Sequence, residues 1–204
     1  MIAIIDYGVG NLFSLYSSLK YIGQTAIITS DAATLRSSDK LLLPGVGAFS
    51  DAALKLRADG LDAIVKNETQ NGKPLLGVCL GMQMLFEKSL EFGEHTGLGL
   101  LPGVVAPIEP RIPPDYKIPH IGWNALKFPS GSNSPLFKLI NEGDHVYFVH
   151  SFNAEQCTES IIATTDYGAE LTAAVGRGNI FGTQFHPEKS GETGLNILRA
   201  FAEL

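Results

Sequence analysis

The sequence has little of several features that define whole classes of proteins. Only two cysteines, Cys79 and Cys157, occur among 204 residues, so a disulfide scaffold is excluded and a reducing cytoplasm is expected. Fifteen basic residues against twenty-one acidic ones give a net charge of −6, which argues against a nucleic-acid-binding protein. No apolar run approaches the ~18 residues of a membrane span, and the N-terminal run lacks the basic region of a signal peptide. We therefore expect a cytoplasmic protein that binds neither nucleic acid nor a membrane.

The sequence does contain enough apolar material for one core. Hydrophobic residues make up 45% of the chain, and its length fits one domain over residues 1–204. In the first half, short apolar runs alternate with segments of helical periodicity, which is typical of βαβ units. The apolar runs predict strands at 2–5, 25–29, 40–45 and 74–79. The periodic segments predict helices at 12–22, at 51–70 with a break at Gly60, and at 80–89.

The second half has a different pattern. From about residue 98 to residue 128 it is rich in proline and glycine, so long helices are not expected there. An amphipathic helix is predicted at 191–203, and further strands are predicted at 145–150, 160–165, 171–176 and 179–186. We predict an α/β fold in which a mostly parallel central sheet is flanked by helices and carries an additional antiparallel β segment.

The strongest local signal is the sequence GVCLG at residues 77–81, between a predicted strand and a predicted helix. A nucleophile with glycines two residues before and after it is typical of a nucleophile elbow, because glycines let neighbouring backbones approach closely. A cysteine at the start of a helix is also favoured as the thiolate by the unpaired N–H groups there. We therefore interpret Cys79 as a nucleophile, whereas Cys157 lies in a polar stretch without such a setting.

A thiol nucleophile needs a general base, and the base needs an acceptor that orients it. Among the five histidines, His186 alone has a carboxylate two residues later, Glu188, with Pro187 between them to stiffen the backbone. Residues i and i+2 at the end of a strand project to the same side, so Glu188 is placed to hold the imidazole of His186 in one tautomer. His150, at the end of another predicted strand, remains the competing base.

Attack on a carbonyl carbon also needs hydrogen-bond donors for the oxyanion that forms. The N–H of Leu80, directly after the predicted nucleophile, is one candidate. The turn PGVG at 44–47 is a second, and the flanking glycines make its backbone around Val46 a candidate switch between inactive and active arrangements. We expect a side chain at Gly47 to block the close approach that this turn requires.

Five segments together resemble a known enzyme family: LLLPGVGAF, GVCLGMQ, PHIGWN, YFVHSF and GTQFHPEKS. They are similar to the motifs of the triad (class I) glutamine amidotransferases, and the resemblance runs through nearly the whole chain. Within that class, PGVGAF, PHIGWN and HPEKS look like the glutaminase subunits of imidazole glycerol phosphate synthase, an enzyme of histidine biosynthesis. The resemblance implies hydrolysis of L-glutamine, no metal or cofactor, and a heterodimer in which ammonia passes to a (β/α)₈ cyclase subunit.

The resemblance also implies roles for individual residues. Cys79 is then the nucleophile, His186 the acid and base, and Glu188 its orienting partner. The residues that fall where the family holds substrate are Gly47, Gln83, Glu91 and the backbone around Ser151 and Phe152. Relatives often have tyrosine in place of Phe152, a difference of little consequence because the backbone is the expected contact.

Ammonia is small and uncharged, so it escapes to water unless the nucleophile opens directly against the partner. Residues near the triad are therefore predicted at the interface, and the candidates are Asn11, Trp123 and Lys189. We expect Lys189 to pair with an acidic residue of the cyclase chain. A buried Trp123 in the core is an equally good interpretation of the only tryptophan.

Three alternative functions remain open. The chain could be the glutaminase of another synthase, such as those for anthranilate or pyridoxal phosphate, although PGVG and PHIGWN argue against this. A cysteine peptidase or thioesterase would use the same elbow. A catalytically silent regulatory subunit is disfavoured, because Cys79, His186 and Glu188 are all present.

Overall fold

Strands and helices alternate in the first half of the chain, and strands predominate in the second half. The computed structural model describes residues 1–130 and 133–204. The strands are β1 (Ile2–Ile5), β2 (Ala26–Thr29), β3 (Lys40–Leu43), β4 (Leu75–Val78), β5 (Lys88–Ser89), β6 (His95–Thr96), β7 (Val104–Pro107), β8 (His120–Ala125), β9 (His145–His150), β10 (Phe152–Glu155), β11 (Ile161–Asp166), β12 (Glu170–Arg177) and β13 (Ile180–Thr183). The α-helices are α1 (Leu12–Tyr21), α2 (Ala32–Ser37), α3 (Phe49–Ala58), α4 (Leu61–Gln70), α5 (Leu80–Gln83) and α6 (Gly191–Ala202).

A seven-stranded sheet lies at the centre, in the order β11-β12-β13-β4-β3-β1-β2. The five strands from β13 to β2 are parallel to one another, whereas β11 and β12 are added antiparallel at one side. The predicted α/β class and the mostly parallel sheet are confirmed. Leu43 of β3 is in register with Gly77 of β4, and Val78 of β4 with Thr183 of β13. The carboxyl ends of these three strands therefore lie side by side, and the PGVG turn, Cys79 and His186 each follow one of them.

Burial on both faces explains why the parallel strands are continuous apolar runs. In β1, Ile2 and Ile4 contribute to one core cluster, and Ala3 and Ile5 contribute to the cluster on the opposite face. Successive side chains of a strand point to opposite faces of the sheet, so a strand covered by helices on both sides needs apolar residues at every position.

The proline-rich middle of the chain forms two smaller sheets. One has the order β10-β7-β5-β6, and the other is the antiparallel pair β8-β9. The absence of long helices between residues 98 and 128 was correctly predicted, but the strands β7 and β8 within this segment were not. The pair β8-β9 brings the end of β9 to the carboxyl edge of the large sheet, where Sγ of Cys79 lies 4.0 Å from the carbonyl oxygen of Val149.

The predicted helix over 80–89 is wrong. The helix α5 has only the four residues Leu80–Gln83, and the chain after it turns away. The carbonyl oxygens that would continue it accept from a distant segment instead: Met84 from the N–H of Leu98, and Leu85 from the N–H of Leu100, each at 2.8 Å. Long-range backbone hydrogen bonds thus replace the helical ones, which apolar spacing alone does not reveal.

No helix in residues 1–130 or 133–204 combines the length and the apolar character that crossing a membrane requires. The longest one described, α6, has 12 residues.

Candidate active site

Cys79 occupies a sharp turn between β4 and α5. Its backbone has φ +55° and ψ −112°, a left-handed conformation that is unfavourable for a residue with a side chain. In this turn, neighbouring backbones approach so closely that no side chain fits between them. A Cβ atom on Gly81 would lie 1.9 Å from the carbonyl oxygen of Leu43, and one on Gly77 would lie 2.6 Å from the carbonyl oxygen of Gly81. The two glycines of the predicted elbow are therefore geometric requirements.

The PGVG turn after β3 touches the same elbow. A Cβ atom on Gly45 would lie 2.7 Å from the backbone nitrogen of Gly81, so this glycine makes the close approach. The expectation that Gly47 makes it is wrong, because a Cβ atom there would meet no atom within 4 Å. Gly47 instead has φ +92°, a conformation that L-residues disfavour, and Val46 beside it is 38% exposed.

His186 and Glu188 follow β13 and are almost completely buried. Nδ1 of His186 lies 2.8 Å from Oε1 of Glu188. The same carboxylate oxygen accepts a hydrogen bond from Nδ2 of Asn11 at 3.2 Å. A carboxylate can only accept, so Nδ1 of His186 is the donor. This hydrogen bond fixes the ring, and Nε2 is the nitrogen that Glu188 does not engage.

The charge state of His186 follows from its neighbours. Burial by itself lowers the pKa of His186, but hydrogen bonds and charge interactions with Cys79 and Glu188 outweigh burial and raise this pKa to about 9. The imidazole is consequently protonated at neutral pH. A buried imidazolium between a thiol and a carboxylate is the arrangement of an acid–base pair set up to move a proton.

A cavity of about 570 Å³ opens at this edge of the sheet, and most of the predicted site residues line it. The predicted residues in its wall are Val46, Gly47, Cys79, Leu80, Gln83, Glu91, Ser151, Phe152 and His186. Glu188 lies behind His186, outside the wall. The predicted interface residues do not line the cavity.

Hydrogen bonds fix several of these wall residues. Nε2 of Gln83 donates to the carbonyl oxygen of Phe152 and to Oε1 of Gln184, both at 3.1 Å. Oε2 of Glu91 accepts from the N–H of Phe49 at 2.5 Å, at the start of α3. The N-terminus of α3 and the loop that carries Glu91 are thereby joined.

Sequence reasoning missed other residues of the cavity. Phe92, Ile118 and Val149 belong to its wall. Phe92 is 87% exposed, has φ +52° and makes an edge-to-face contact with Phe152 at 6.2 Å between ring centroids. Nε2 of Gln184 lies 3.8 Å from Sγ of Cys79. Val149 and Gln184 lie within the segments YFVHSF and GTQFHPEKS, but the sequence assigned no role to them, and no motif contains Phe92 or Ile118; only their positions in space identify these residues.

The predicted interface residues are exposed or partly exposed and lie outside the cavity wall. Trp123 is 53% exposed on β8, beside Tyr147 of β9, with ring centroids 6.1 Å apart. Nζ of Lys189 lies over the ring of Tyr147 at 5.7 Å from its centroid. Trp123 is therefore not a core residue. With Ile121, 56% exposed on the same strand, these side chains form an apolar exposed face that carries one cation.

Comparison with known proteins agrees with this geometry. The family model described as glutamine amidotransferase class-I matches residues 3–203. The chain belongs to this family. Within it, the chain groups with proteins named imidazole glycerol phosphate synthase subunit HisH. One from Oceanobacillus iheyensis is 46% identical, and the match covers 100% of this chain and 99% of that protein. One from Methanothermobacter thermautotrophicus is 48% identical, covering 100% and 98%.

Solved structures with low sequence identity share the family fold. A crystal structure of a glutamine amidotransferase superposes with a TM-score of 0.77 at 20% identity, covering 100% of this chain and 98% of that one. The structure of PurLQS from Thermotoga maritima gives a TM-score of 0.75 at 19% identity, covering 99% and 97%. At these identities the likeness concerns the fold alone.

Proposed function

We propose that this chain hydrolyses L-glutamine to glutamate and ammonia and delivers the ammonia to a cyclase partner. The observation that carries the proposal is that Cys79, at a strained elbow, lines the same cavity as an imidazole that is held by a buried carboxylate. The family membership of the chain supports the same reaction class. Cys79, His186 and Glu188 form the proposed triad.

The proposed first half-reaction forms a thioester. The thiolate of Cys79 attacks the carboxamide carbon of glutamine and makes a tetrahedral oxyanion. Because the pKa of His186 is raised to about 9, its imidazolium holds the proton that the departing nitrogen needs. The C–N bond breaks, ammonia leaves with that proton, and a γ-glutamyl thioester remains on Cys79.

In the second half-reaction, neutral His186 accepts a proton from water. The resulting hydroxide adds to the thioester carbon, the C–S bond breaks, and glutamate leaves as the thiolate is restored. Glu188 keeps the imidazole in one orientation through both steps, because its Oε1 accepts from Nδ1 and leaves Nε2 to exchange the proton.

Two backbone groups are proposed to stabilise the oxyanion. Leu80 is the first residue of α5, a position whose N–H has no partner within a helix. The peptide around Val46 is the second, and the open space at Gly47 leaves room for it to rotate. Each well-aimed donor typically contributes about 3 kcal/mol to transition-state stabilisation.

The other cavity residues are proposed to bind the glutamine itself. The carboxylate of Glu91 in the cavity wall suits the α-ammonium group of the substrate, because opposite charges attract strongly where water is partly excluded. Gln83, Gly47 and the backbone of Ser151 and Phe152 complete the site by contacting its polar groups.

The partner is proposed to be the (β/α)₈ cyclase subunit of imidazole glycerol phosphate synthase, in a heterodimer of histidine biosynthesis. With this ammonia the cyclase makes imidazole glycerol phosphate and aminoimidazole carboxamide ribotide. The exposed apolar face at Trp123 and Tyr147, with Lys189 beside it, supports docking close to His186, whose backbone N–H donates to the carbonyl oxygen of Tyr147. Asn11, which holds Glu188, lies within the same region and is proposed to sense the partner.

The test is purification of the tagged chain from its cells, identification of what co-purifies by mass spectrometry, and an assay of the complex. Release of glutamate from glutamine, with no turnover of peptide or thioester substrates, is the expected result. Recovery of the synthase for anthranilate or pyridoxal phosphate would replace the proposed partner. Turnover of peptides or thioesters in preference to glutamine would replace the proposed reaction.

A further inference from the structure

Two buried histidines that the proposed reaction does not use connect the cavity to a distant turn. Nδ1 of His150 lies 2.9 Å from the carbonyl oxygen of Phe152, and Nε2 of His150 lies 3.0 Å from Nδ1 of His120. Nε2 of His120 in turn lies 3.0 Å from Oδ1 of Asn124. We name this row of groups, from Phe152 through His150 and His120 to Asn124, the histidine chain.

The orientation of Asn124 fixes the outer end of the histidine chain. Its Nδ2 donates to the carbonyl oxygen of Asp166 at 2.8 Å. A carbonyl oxygen can only accept, so the amide nitrogen must face Asp166 and the amide oxygen must face His120. The histidine chain therefore ends on an acceptor at both sides. Its three contacts need three N–H protons, and two neutral imidazoles supply only two.

Both imidazoles are neutral near pH 7. Burial lowers the pKa of His150 to about 3. The hydrogen bond to Phe152 opposes this shift, and the charges of His120 and His186 add to it. Burial also lowers the pKa of His120, although the nearby amide oxygen of Asn124 acts in the opposite direction. The ring of His120 is stacked between Phe148 and Tyr167, at 4.9 and 3.9 Å between centroids, which keeps water away from it. One of the three contacts must then lack a proton.

The outer contact is assigned as the one without a proton. If the contact between the two rings lacked the proton, two lone pairs would face each other in a buried place, because His120 and His150 are 0% and 6% exposed. Asn124 is partly exposed, so water satisfies its amide oxygen at lower cost. Protons therefore lie on Nδ1 of both rings: His120 donates to His150, and His150 donates to Phe152.

We propose that His120 is a positioning residue for glutamine hydrolysis, because its Nδ1–H holds the ring of His150 in the position from which His150 donates to the Phe152 carbonyl at the cavity wall. This inference rests on the proposed function. Phe152 begins β10 and lines the cavity, and its carbonyl oxygen accepts from both His150 and Nε2 of Gln83. Without the donor on His120, Nε2 of His150 loses its hydrogen bond, and the ring is no longer held in place against that carbonyl.

The tautomer is tested directly on the wild-type protein by ¹⁵N–¹H NMR of labelled histidine side chains. The expected spectrum shows a proton on Nδ1 of both His120 and His150 and a bare Nε2 on each. A proton on Nε2 of His150 would overturn the proposal, and so would an imidazolium signal from either ring at pH 7. This measurement needs no substrate and no partner.

Kinetics of variants test the effect on the reaction, in the complex with the co-purified partner. His120→Phe keeps an aromatic ring in the stack but removes the donor, and His120→Asn retains an amide N–H close to the position of Nδ1. We expect KM for glutamine to rise about fivefold in His120→Phe with a smaller change in kcat, and to return most of the way in His120→Asn. His145→Asn is the matched control, since His145 is exposed at the start of β9, the strand that ends at His150, and its kinetics should equal those of the wild type.

The outcomes separate the two proposals. If the wild-type complex releases no glutamate, the proposed function fails while the NMR result still decides the tautomer. If the wild type is active and His120→Phe, folded by its circular dichroism spectrum, has an unchanged KM, the positioning role fails alone. If His120→Phe does not fold, two measurements on His120→Asn decide instead: its KM relative to wild type and the tautomer of its His150. A KM raised tenfold or more, with Nδ1 of His150 still protonated, would overturn the role.

Discussion

Nδ1 of His186 lies 2.8 Å from Oε1 of Glu188, and the two side chains are only 3% and 0% exposed. Oε2 of the same carboxylate has no hydrogen-bond partner among the residues described. A buried carboxylate with one free oxygen is costly unless a positive charge compensates it. The protonated imidazole of His186 provides that charge, so the pair is most stable when His186 keeps its proton.

The raised pKa of His186 predicts how stability depends on pH. Interactions first with Cys79 and then with Glu188 raise this pKa from 6.5 to about 9 in the folded protein. A group whose pKa is raised by folding stabilises fully below its unfolded pKa, and this contribution is lost as pH rises through the folded value. We expect a loss on the order of 3 kcal/mol between about pH 6.5 and pH 9. Urea unfolding at several pH values measures it.

Glu188→Gln is the matched variant, because it keeps the shape of the side chain but removes its charge. Its free energy of unfolding should fall much less steeply over the same pH range. Glu192→Gln, at an exposed glutamate in the next helix, should retain the wild-type slope. Equal slopes in wild type and Glu188→Gln would contradict the role assigned to this carboxylate.

Cys79→Ala should abolish glutamine hydrolysis, because no other thiol lines the described cavity. The complex with the partner should still form product when ammonium salts replace glutamine, since the cyclase needs only ammonia. Glutamate released from glutamine and cyclised product made from ammonium are measured on the same preparation. Glutamate release by the Cys79→Ala complex would show that the elbow is not the site of chemistry.

Gly45→Ala and Gly47→Ala should damage the protein in different ways. A Cβ atom on Gly45 would clash with Gly81 at 2.7 Å, so we expect an altered elbow and a stability loss of about 2 kcal/mol or more. Gly47 has open space around it but φ +92°, so alanine costs about 1 kcal/mol there and restricts the rotation proposed for the oxyanion donor. Thermal unfolding and glutaminase kinetics of both variants separate the two effects. Full activity in Gly47→Ala would remove this turn from the mechanism.

Lys189→Ala should weaken association with the cyclase or uncouple ammonia transfer. Nζ of Lys189 lies over the ring of Tyr147, which holds the cation on the exposed surface where a partner carboxylate can reach it. Losing one member of a desolvated pair typically costs a few kcal/mol. Titration with the partner gives the affinity, and the ratio of glutamate to cyclised product at saturation gives the coupling. Lys55→Ala, at an exposed lysine of α3, is the control. If Lys189→Ala has the affinity and the glutamate-to-product ratio of the wild type, the interface role is refuted.

The sequence by itself predicted the central sheet because its physical signals are local. A strand covered on both faces needs an unbroken apolar run, and β1, β3 and β4 have one. The break at Gly60 was also predictable, because glycine readily adopts the positive φ that such a break requires. The residue has φ +67° between α3 and α4. The helix expected over 80–89 and the unpredicted strands β7 and β8 show the limit of such signals. Their backbone partners lie far away in the chain, so tertiary hydrogen bonds decided their conformation.

The same division holds for the candidate site. The spacing of Gly77, Cys79 and Gly81 and the pair His186 and Glu188 were identifiable from the sequence, since each lies within a few residues and its chemistry depends on that spacing. What surrounds them depends on strand order, because adjacent carboxyl ends of β3, β4 and β13 bring distant segments together. Only the tertiary structure therefore placed Gly45 against the elbow, Asn11 on Glu188 and the two neutral histidines behind Phe152.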